Sequence, residues 1–241
     1  MTKPRILFLD IETSLLLAYT FGIRDQHITH GQIANDRDGR LIHCIGLKWQ
    51  GQKPFVLSEW EHGYEGMMHG VHNALCEADA VATYNGARFD LPKIQGQFAL
   101  LDMDPPPPPT QIDLFKTARR MGYVSSKLDY LAQLLGVGSK VKHPGMQLWI
   151  DVFNECPKAQ KLMARYCAGD VRLTERVYDR LLPYVPNHPH LHRGAPCGTC
   201  GSKNTQRRGY NTSKHFQTER IFCNDCRGWS TGKRSKVEKA A

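Results

Sequence analysis

The chain has 241 residues, a mass of 27.3 kDa, 41% hydrophobic and 23% charged residues and a mean hydropathy of −0.47, which excludes collagen-like, largely disordered and membrane-spanning classes. No run approaches the ~18 consecutive apolar residues of a membrane helix, and Met1-Thr2-Lys3-Pro4 leads straight into an apolar stretch, so neither a signal peptide nor a membrane partner is expected. Of the net charge of +9, residues 187–241 carry +8 (11 Lys or Arg against 3 Asp or Glu), leaving +1 for residues 1–186; a basic tail on a near-neutral body suits a polyanion, nucleic acid foremost.

Arg5 to Asp10 is too short for a helix and too continuously apolar for a half-exposed strand, so it predicts a central buried strand. Residues 15–40 lack a period and read as a surface excursion. Leu41 to Trp49 and Lys53 to Ser58 predict a hairpin, Tyr64 to Glu77 a helix, and Ala80 to Tyr84 a second buried strand that ends at Asn85-Gly86. Leu91 to Leu101 is helical. The run Pro105 to Pro109 predicts a stiff connector of about 15 Å, at ~3.1 Å per residue. Two amphipathic stretches follow, Asp113 to Met121 and Lys127 to Leu135, and then a long helix from Pro157 that ends before Pro183. Strands first and helices later predict an α/β body with a mixed sheet. Pro186 to Pro196 has the composition of a linker, with His188, His190 and His192 on its surface, which divides the chain into a body of residues 1–186 and a linker plus basic module of residues 187–241.

Asp10 and Glu12 close the first strand two residues apart, so both carboxylates face one side. At ~5 Å and an effective dielectric of 20 they repel by about 3 kcal/mol, which favours a cation between them. Asp90 follows the second buried strand, where in isolation it reads as a helix N-cap. Tyr166 and Asp170 stand at i and i+4 of the long helix, on one face. Four acids with oxygen ligands suit two Mg²⁺ or Mn²⁺ ions ~4 Å apart, an arrangement that serves phosphodiester hydrolysis.

Phe8-Leu-Asp-Ile-Glu-Thr13, Tyr84-Asn-Gly-Ala-Arg-Phe-Asp-Leu-Pro92 and Tyr166-Cys-Ala-Gly-Asp170 together resemble the three motifs of the DEDD family of 3′-to-5′ exonucleases. The second and third motifs are similar to those of family B DNA polymerase proofreading domains, and the likeness covers roughly residues 4–185. It implies a ribonuclease H-like mixed sheet flanked by helices. Arg165 stands where a histidine-type member has histidine, so Tyr166 implies the tyrosine type, DEDDy. By the resemblance, Asp10 bridges both metals, Glu12 and Asp170 hold the metal that activates water, Asp90 supports the second metal and Tyr166 orients the water. Thr13, Asn85 and Phe89 are candidates for seating the terminal nucleotide. Asp113 reads more simply as a helix-start acid, and Lys140, Lys142 and His143 divide between lining the strand path and loop solubility.

Eight cysteines without a secretory signal point to a reducing, cytoplasmic compartment. Four of them form Cys197-x-x-Cys200 and Cys223-x-x-Cys226, separated by 22 residues, which predicts a structural Zn²⁺ site. Cys200-Gly201 resembles the knuckle of zinc ribbons, and the alternation from Lys214 to Phe222 suits a ribbon hairpin. Arg207, Arg208, Lys214 and Arg220 among Tyr210, Phe216, Phe222 and Trp229 give cations for phosphates and rings for bases. The expectation is a metal-dependent 3′-to-5′ exonuclease that releases 5′-mononucleotides from single-stranded DNA. The alternatives are an exoribonuclease, a structure-specific endonuclease, or a non-catalytic nucleic-acid adaptor whose ribbon recruits a replication or transcription protein; a replication or repair protein is the candidate protein partner.

Overall fold

Strand β1 (Ile6–Thr13) occupies the centre of a five-stranded sheet and runs three residues beyond the buried strand expected to end at Asp10. The structure, a computed structural model, describes residues 4–186, 188–192 and 194–237; the lead-in Met1 to Lys3 and Asn187, where the second module is expected to open, lie outside the described residues. The excursion after β1 contains one short pairing, β2 (Leu17–Ala18) with β3 (Ile33–Asn35). β4 (Ile42–Trp49) and β5 (Phe55–Ser58) form the expected hairpin, and Gly51 takes φ +75° at its turn.

Helix α1 (Glu59–His62) is a single turn, and α2 (Tyr64–Glu77) fills its expected span. β6 (Ala80–Thr83) leads through a tight turn into α3 (Asp90–Leu100). Pro105 to Pro109 adopts neither helix nor strand and delivers the chain to β7 (Thr110–Asp113). That strand has no sequence signal: four residues, two of them exposed, are too few to show alternation. α4 (Leu114–Arg120) and α5 (Leu128–Leu134) lie within the two predicted amphipathic stretches. α6 (Met146–Phe153) was not expected, although Leu148 and Val152, at i and i+4, form its buried edge. α7 (Pro157–Leu181) is the long helix.

The sheet order is β5-β4-β1-β6-β7, with β1 antiparallel to β4 and parallel to β6, and β7 parallel to β6. The mixed sheet is therefore as expected. Leu7, Leu9 and Ile11 of β1 pack with Met67, Val71, Ile94 and Phe98 of α2 and α3, whereas Cys44 of β4 packs with Leu148, Met163, Tyr166 and Cys167 of α6 and α7. Helices thus flank the sheet. Each fully buried side chain of this kind contributes roughly 1.5–3 kcal/mol. Because β1, β6 and β7 run in parallel, their C-terminal ends, and the loops that follow, share one edge of the sheet. Among the described residues no helix is long and apolar enough to cross a membrane.

Residues Arg5–Val177 form one compact unit, and the described residues from Tyr178 onward, with Pro4, form another. The second unit contains the antiparallel sheet β8 (Thr205–Thr212), β9 (Phe216–Cys223) and β10 (Trp229–Lys236), with β9 in the middle. From residue 188 onward the buried side chains among the described residues are those of Cys197 and Cys223. So small an apolar core cannot by itself hold a domain together.

Candidate metal and nucleic-acid sites

Ligand atoms of Asp10, Glu12 and Cys167 all lie within 4.8 Å of one another. On the neighbouring strand Gly46 stands opposite Asp10 and Cys44 opposite Glu12. Gly46 is what lets α7 approach: a Cβ there would lie 2.8 Å from the Cys167 carbonyl oxygen and 2.9 Å from its sulfur. The Cys167 thiol pKa is raised by its hydrogen bond with Cys44 and by burial, and soft sulfur suits Mg²⁺ or Mn²⁺ less well than the neighbouring carboxylate oxygens do.

The second motif is a turn between β6 and α3. Asn85 adopts φ +71°, and Gly86 packs so closely on Thr83 that a Cβ would fall 2.5 Å from it. The Asn85 amide donates to Asp113 Oδ1 at 2.9 Å, and the same oxygen accepts from the Phe115 amide at 3.0 Å. Asp113 is thus the N-cap of α4, as expected, and also tethers the turn. Asp90 is not an N-cap. Phe89 occupies that position, while Asp90 is the first helical residue and its Oδ1 accepts from the Ile11 amide at 3.0 Å. The tertiary bond to β1 takes the carboxylate that local propensity would have assigned to the helix end.

On α7, Tyr166 and Asp170 share a face, and Lys140 joins them: its Nζ donates to Tyr166 Oη at 2.9 Å and to Asp170 Oδ2 at 2.6 Å. The Lys140 amide donates to Asp129 Oδ1 of α5 at 2.7 Å, which fixes the loop that carries it. His143 and Trp149 lie edge-on to the Tyr166 ring, with centroids 4.8 and 6.1 Å away. Sequence reasoning left Lys140 and His143 without a settled role and passed over Trp149. A cation in an aperiodic loop carries no signal of where the loop will fold.

Burial raises the pKa of all four acids. Asp10 rises well above the usual carboxylate range through burial and then through Asp90, Asp170 and Glu12. Glu12 is pushed up to about 8 by burial and Asp170, and Asp90 to about 6 by burial, against the Ile11 hydrogen bond. Asp170 is raised by burial and pulled back by Lys140. For Lys140, burial is outweighed by Asp170 and by its hydrogen bonds, so it stays charged; for Tyr166, burial and Asp170 raise the phenol further. Tyr166 therefore keeps its proton at neutral pH. Asp170 Oδ1 is buried and has no hydrogen-bond partner among the described residues. Mutually repelling oxygens with one buried acceptor unsatisfied fit the donor set of a hard divalent cation.

The remaining expected residues are less concentrated. Thr13 ends β1 after a register shift, half-buried, and Asn85 is half-buried in its turn. Phe89 is 43% exposed beside Asp90, with Lys93 Nζ 4.9 Å from its ring centre.

In the second unit the four cysteines come together: Cys197 to Cys200, Cys197 to Cys226 and Cys200 to Cys223 are 3.6, 3.7 and 3.7 Å apart, sulfur to sulfur. Tetrahedral coordination at Zn–S ~2.3 Å requires about 3.8 Å, so the cluster fits zinc. Ser202 Oγ and Asn204 Nδ2 both donate to Asp225, linking the two knuckles, at 2.5 and 2.8 Å. The histidine tract is not simply linker surface. His188 Nε2 pairs with Tyr178 Oη at 2.9 Å, and the His190 and His192 rings lie against Gly198 and Gly201 of the first knuckle. Arg207 Nη1 donates to Glu219 at 3.2 Å, Arg208 stacks on Phe222 and Arg220 on Trp229, and Lys214 is exposed in the β8–β9 turn.

The family model described as RNase_H superfamily (RNase_H_2) matches residues 7–182. No curated protein matches the chain. Among solved structures it is similar to the family B DNA polymerase from the hyperthermophilic archaeon Pyrobaculum calidifontis, with TM-score 0.56 and 20% identity over 76% of this chain. The chain corresponds to 25% of that polymerase's length, and the likeness is one of fold.

Proposed function

The chain belongs to the RNase_H superfamily, and from that premise we propose that it is a divalent-metal-dependent 3′-to-5′ exonuclease of the tyrosine type, acting on single-stranded DNA. The observation that carries the reading is the convergence of Asp10, Glu12, Asp90 and Asp170, drawn from one strand and two helices, with Tyr166 and Lys140 on the same side. Asp10, Glu12 and Asp170 would hold the cations, with Asp90, anchored to β1 by the Ile11 amide, supporting the second. Mg²⁺ or Mn²⁺ there supplies charge neutralisation and Lewis acidity to the scissile phosphodiester. Tyr166 Oη positions the attacking water, and Lys140 keeps that hydroxyl and Asp170 in place. Asn85 and Phe89, at the head of α3, seat the terminal nucleotide, and Thr13 approaches its 3′ end.

In this reading residues 1–186 are the catalytic domain, and residues 187–241 are a linker and a zinc ribbon that retains the strand through cations that stack on its rings, Arg208 and Arg220 among them. The test is degradation of 3′-labelled and 5′-labelled DNA and RNA oligonucleotides with and without Mn²⁺. Stepwise loss from the 3′ end with mononucleotide products is expected, faster on DNA. Internal cuts or release from the 5′ end would refute it.

A further inference from the structure

The two faces of the ribbon sheet differ in chemistry. Side chains alternate along β9, so Phe216, Arg220 and Phe222 lie on one face and Glu219, Ile221 and Cys223 on the other. Cross-strand register places Trp229 opposite Phe222. Bulges in both outer strands then decide where the arginines go. On β8, Arg207 pairs with Ile221 and Tyr210 with Glu219, and Gly209, at φ +80°, takes up the extra residue. Arg208 is left on the face of Phe222, with its guanidinium 4.2 Å from that ring centre. On β10 the shift between Thr231 and Arg234 brings Arg234 opposite Thr218 and 4.0 Å from the Phe216 ring. Arg220 lies 5.0 Å from Trp229, whose ring is 5.1 Å from that of Phe222.

Among the described residues one face therefore carries three arginines interleaved with three rings and no acid. The other carries Glu219, which Arg207 and the Lys233 amide engage. Trp229 is 49% exposed, and Arg208, Arg220 and Arg234 are exposed.

We infer that the Arg208–Phe222–Trp229–Arg220–Arg234–Phe216 face is the docking surface for a single-stranded nucleic acid, with bases stacking among the rings and phosphates on the arginines, and that the Arg207 face is not. The inference rests on the reading of the ribbon as a strand-retaining module and narrows it to one side. Charge complementarity selects the occupant: the segment carries +8, and this face contributes cations with planar groups on which bases stack. Arg207 and Lys214 belong to the general positive field.

The test uses the full-length, zinc-loaded chain without added Mg²⁺ or Mn²⁺, so that binding is read apart from cleavage, with a fluorescent 20-nucleotide thymidine strand as the probe. Arg220→Ala with Arg234→Ala should weaken binding about tenfold or more and lower the log–log salt slope by roughly 1.4, two contacts at ~0.7 each. Arg207→Ala with Lys214→Ala removes the same charge and should change affinity less than about threefold. Trp229→Ala should lose on the order of tenfold and Trp229→Phe should restore most of it, with one zinc per chain verifying each fold. Equal losses from the two arginine and lysine pairs, or a larger loss from the second, would overturn the sided surface and leave the ribbon a binding module. No loss even when Arg207, Lys214, Arg220 and Arg234 are all replaced by Ala would overturn both. Since no cleavage is measured, a chain without nuclease activity can still pass.

Discussion

At the scale of single residues, the site is a set of charges that destabilise one another without a cation. Asp10→Ala removes the most crowded of them, so it should abolish turnover while leaving or raising the melting temperature of the metal-free protein. Tyr166→Phe should lose about 10²-fold in kcat by releasing the attacking water, with KM little changed. Lys140→Met should cost a similar factor, because Tyr166 and Asp170 lose their common donor. Steady-state kinetics on a short oligonucleotide checks both. Their pH behaviour follows from the acids. Glu12 has a folded pKa of about 8 against 4.5, so the unfolded chain ionises first and stability is lost as pH rises from about 4.5 to about 8. Asp90 adds a smaller loss up to about 6. The gap in melting temperature between Mg²⁺-loaded and Mg²⁺-free protein should therefore widen from about pH 5 to about pH 8. A constant gap would contradict the raised pKa values.

At the scale of elements, the site depends on how closely helices meet strands. Gly46→Ala would push Cys167, and with it Tyr166 and Asp170, away from β1; the expected cost is ~1–3 kcal/mol in denaturant unfolding together with lost activity. Asp113→Ala should cost about 1 kcal/mol as a lost N-cap and also reduce activity, by loosening the Asn85 turn. The carboxylates were legible because strand alternation and the i, i+4 helix spacing are local rules. So were β1, the β4–β5 hairpin, α2 and α7, each with a long apolar pattern or a proline to mark it. β7, α6 and the role of Lys140 were not, since a four-residue strand, a short helix after a glycine and a lysine in a loop take their meaning from what they fold against. Asp90 shows the same limit from the other side: its local signal pointed to a cap, and the Ile11 amide, 79 residues away, claimed it.

At the scale of the whole molecule, the proposed division gives the chemistry to a near-neutral body and strand retention to a basic ribbon. Cys223→Ser should release zinc and weaken binding of long strands with a shallower salt dependence, while cleavage of a short oligonucleotide at saturation persists. Unchanged long-strand affinity and salt slope would make a protein partner the better assignment for the ribbon. The claim on which the rest depends is that the four carboxylates form a divalent-metal centre. Its most direct test is Mn²⁺ binding to the zinc-loaded chain followed by electron paramagnetic resonance. Two Mn²⁺ per chain are predicted, with a loss of at least about 100-fold in affinity on Asp10→Ala; failure to bind Mn²⁺, or binding unaltered by that substitution, would contradict the account.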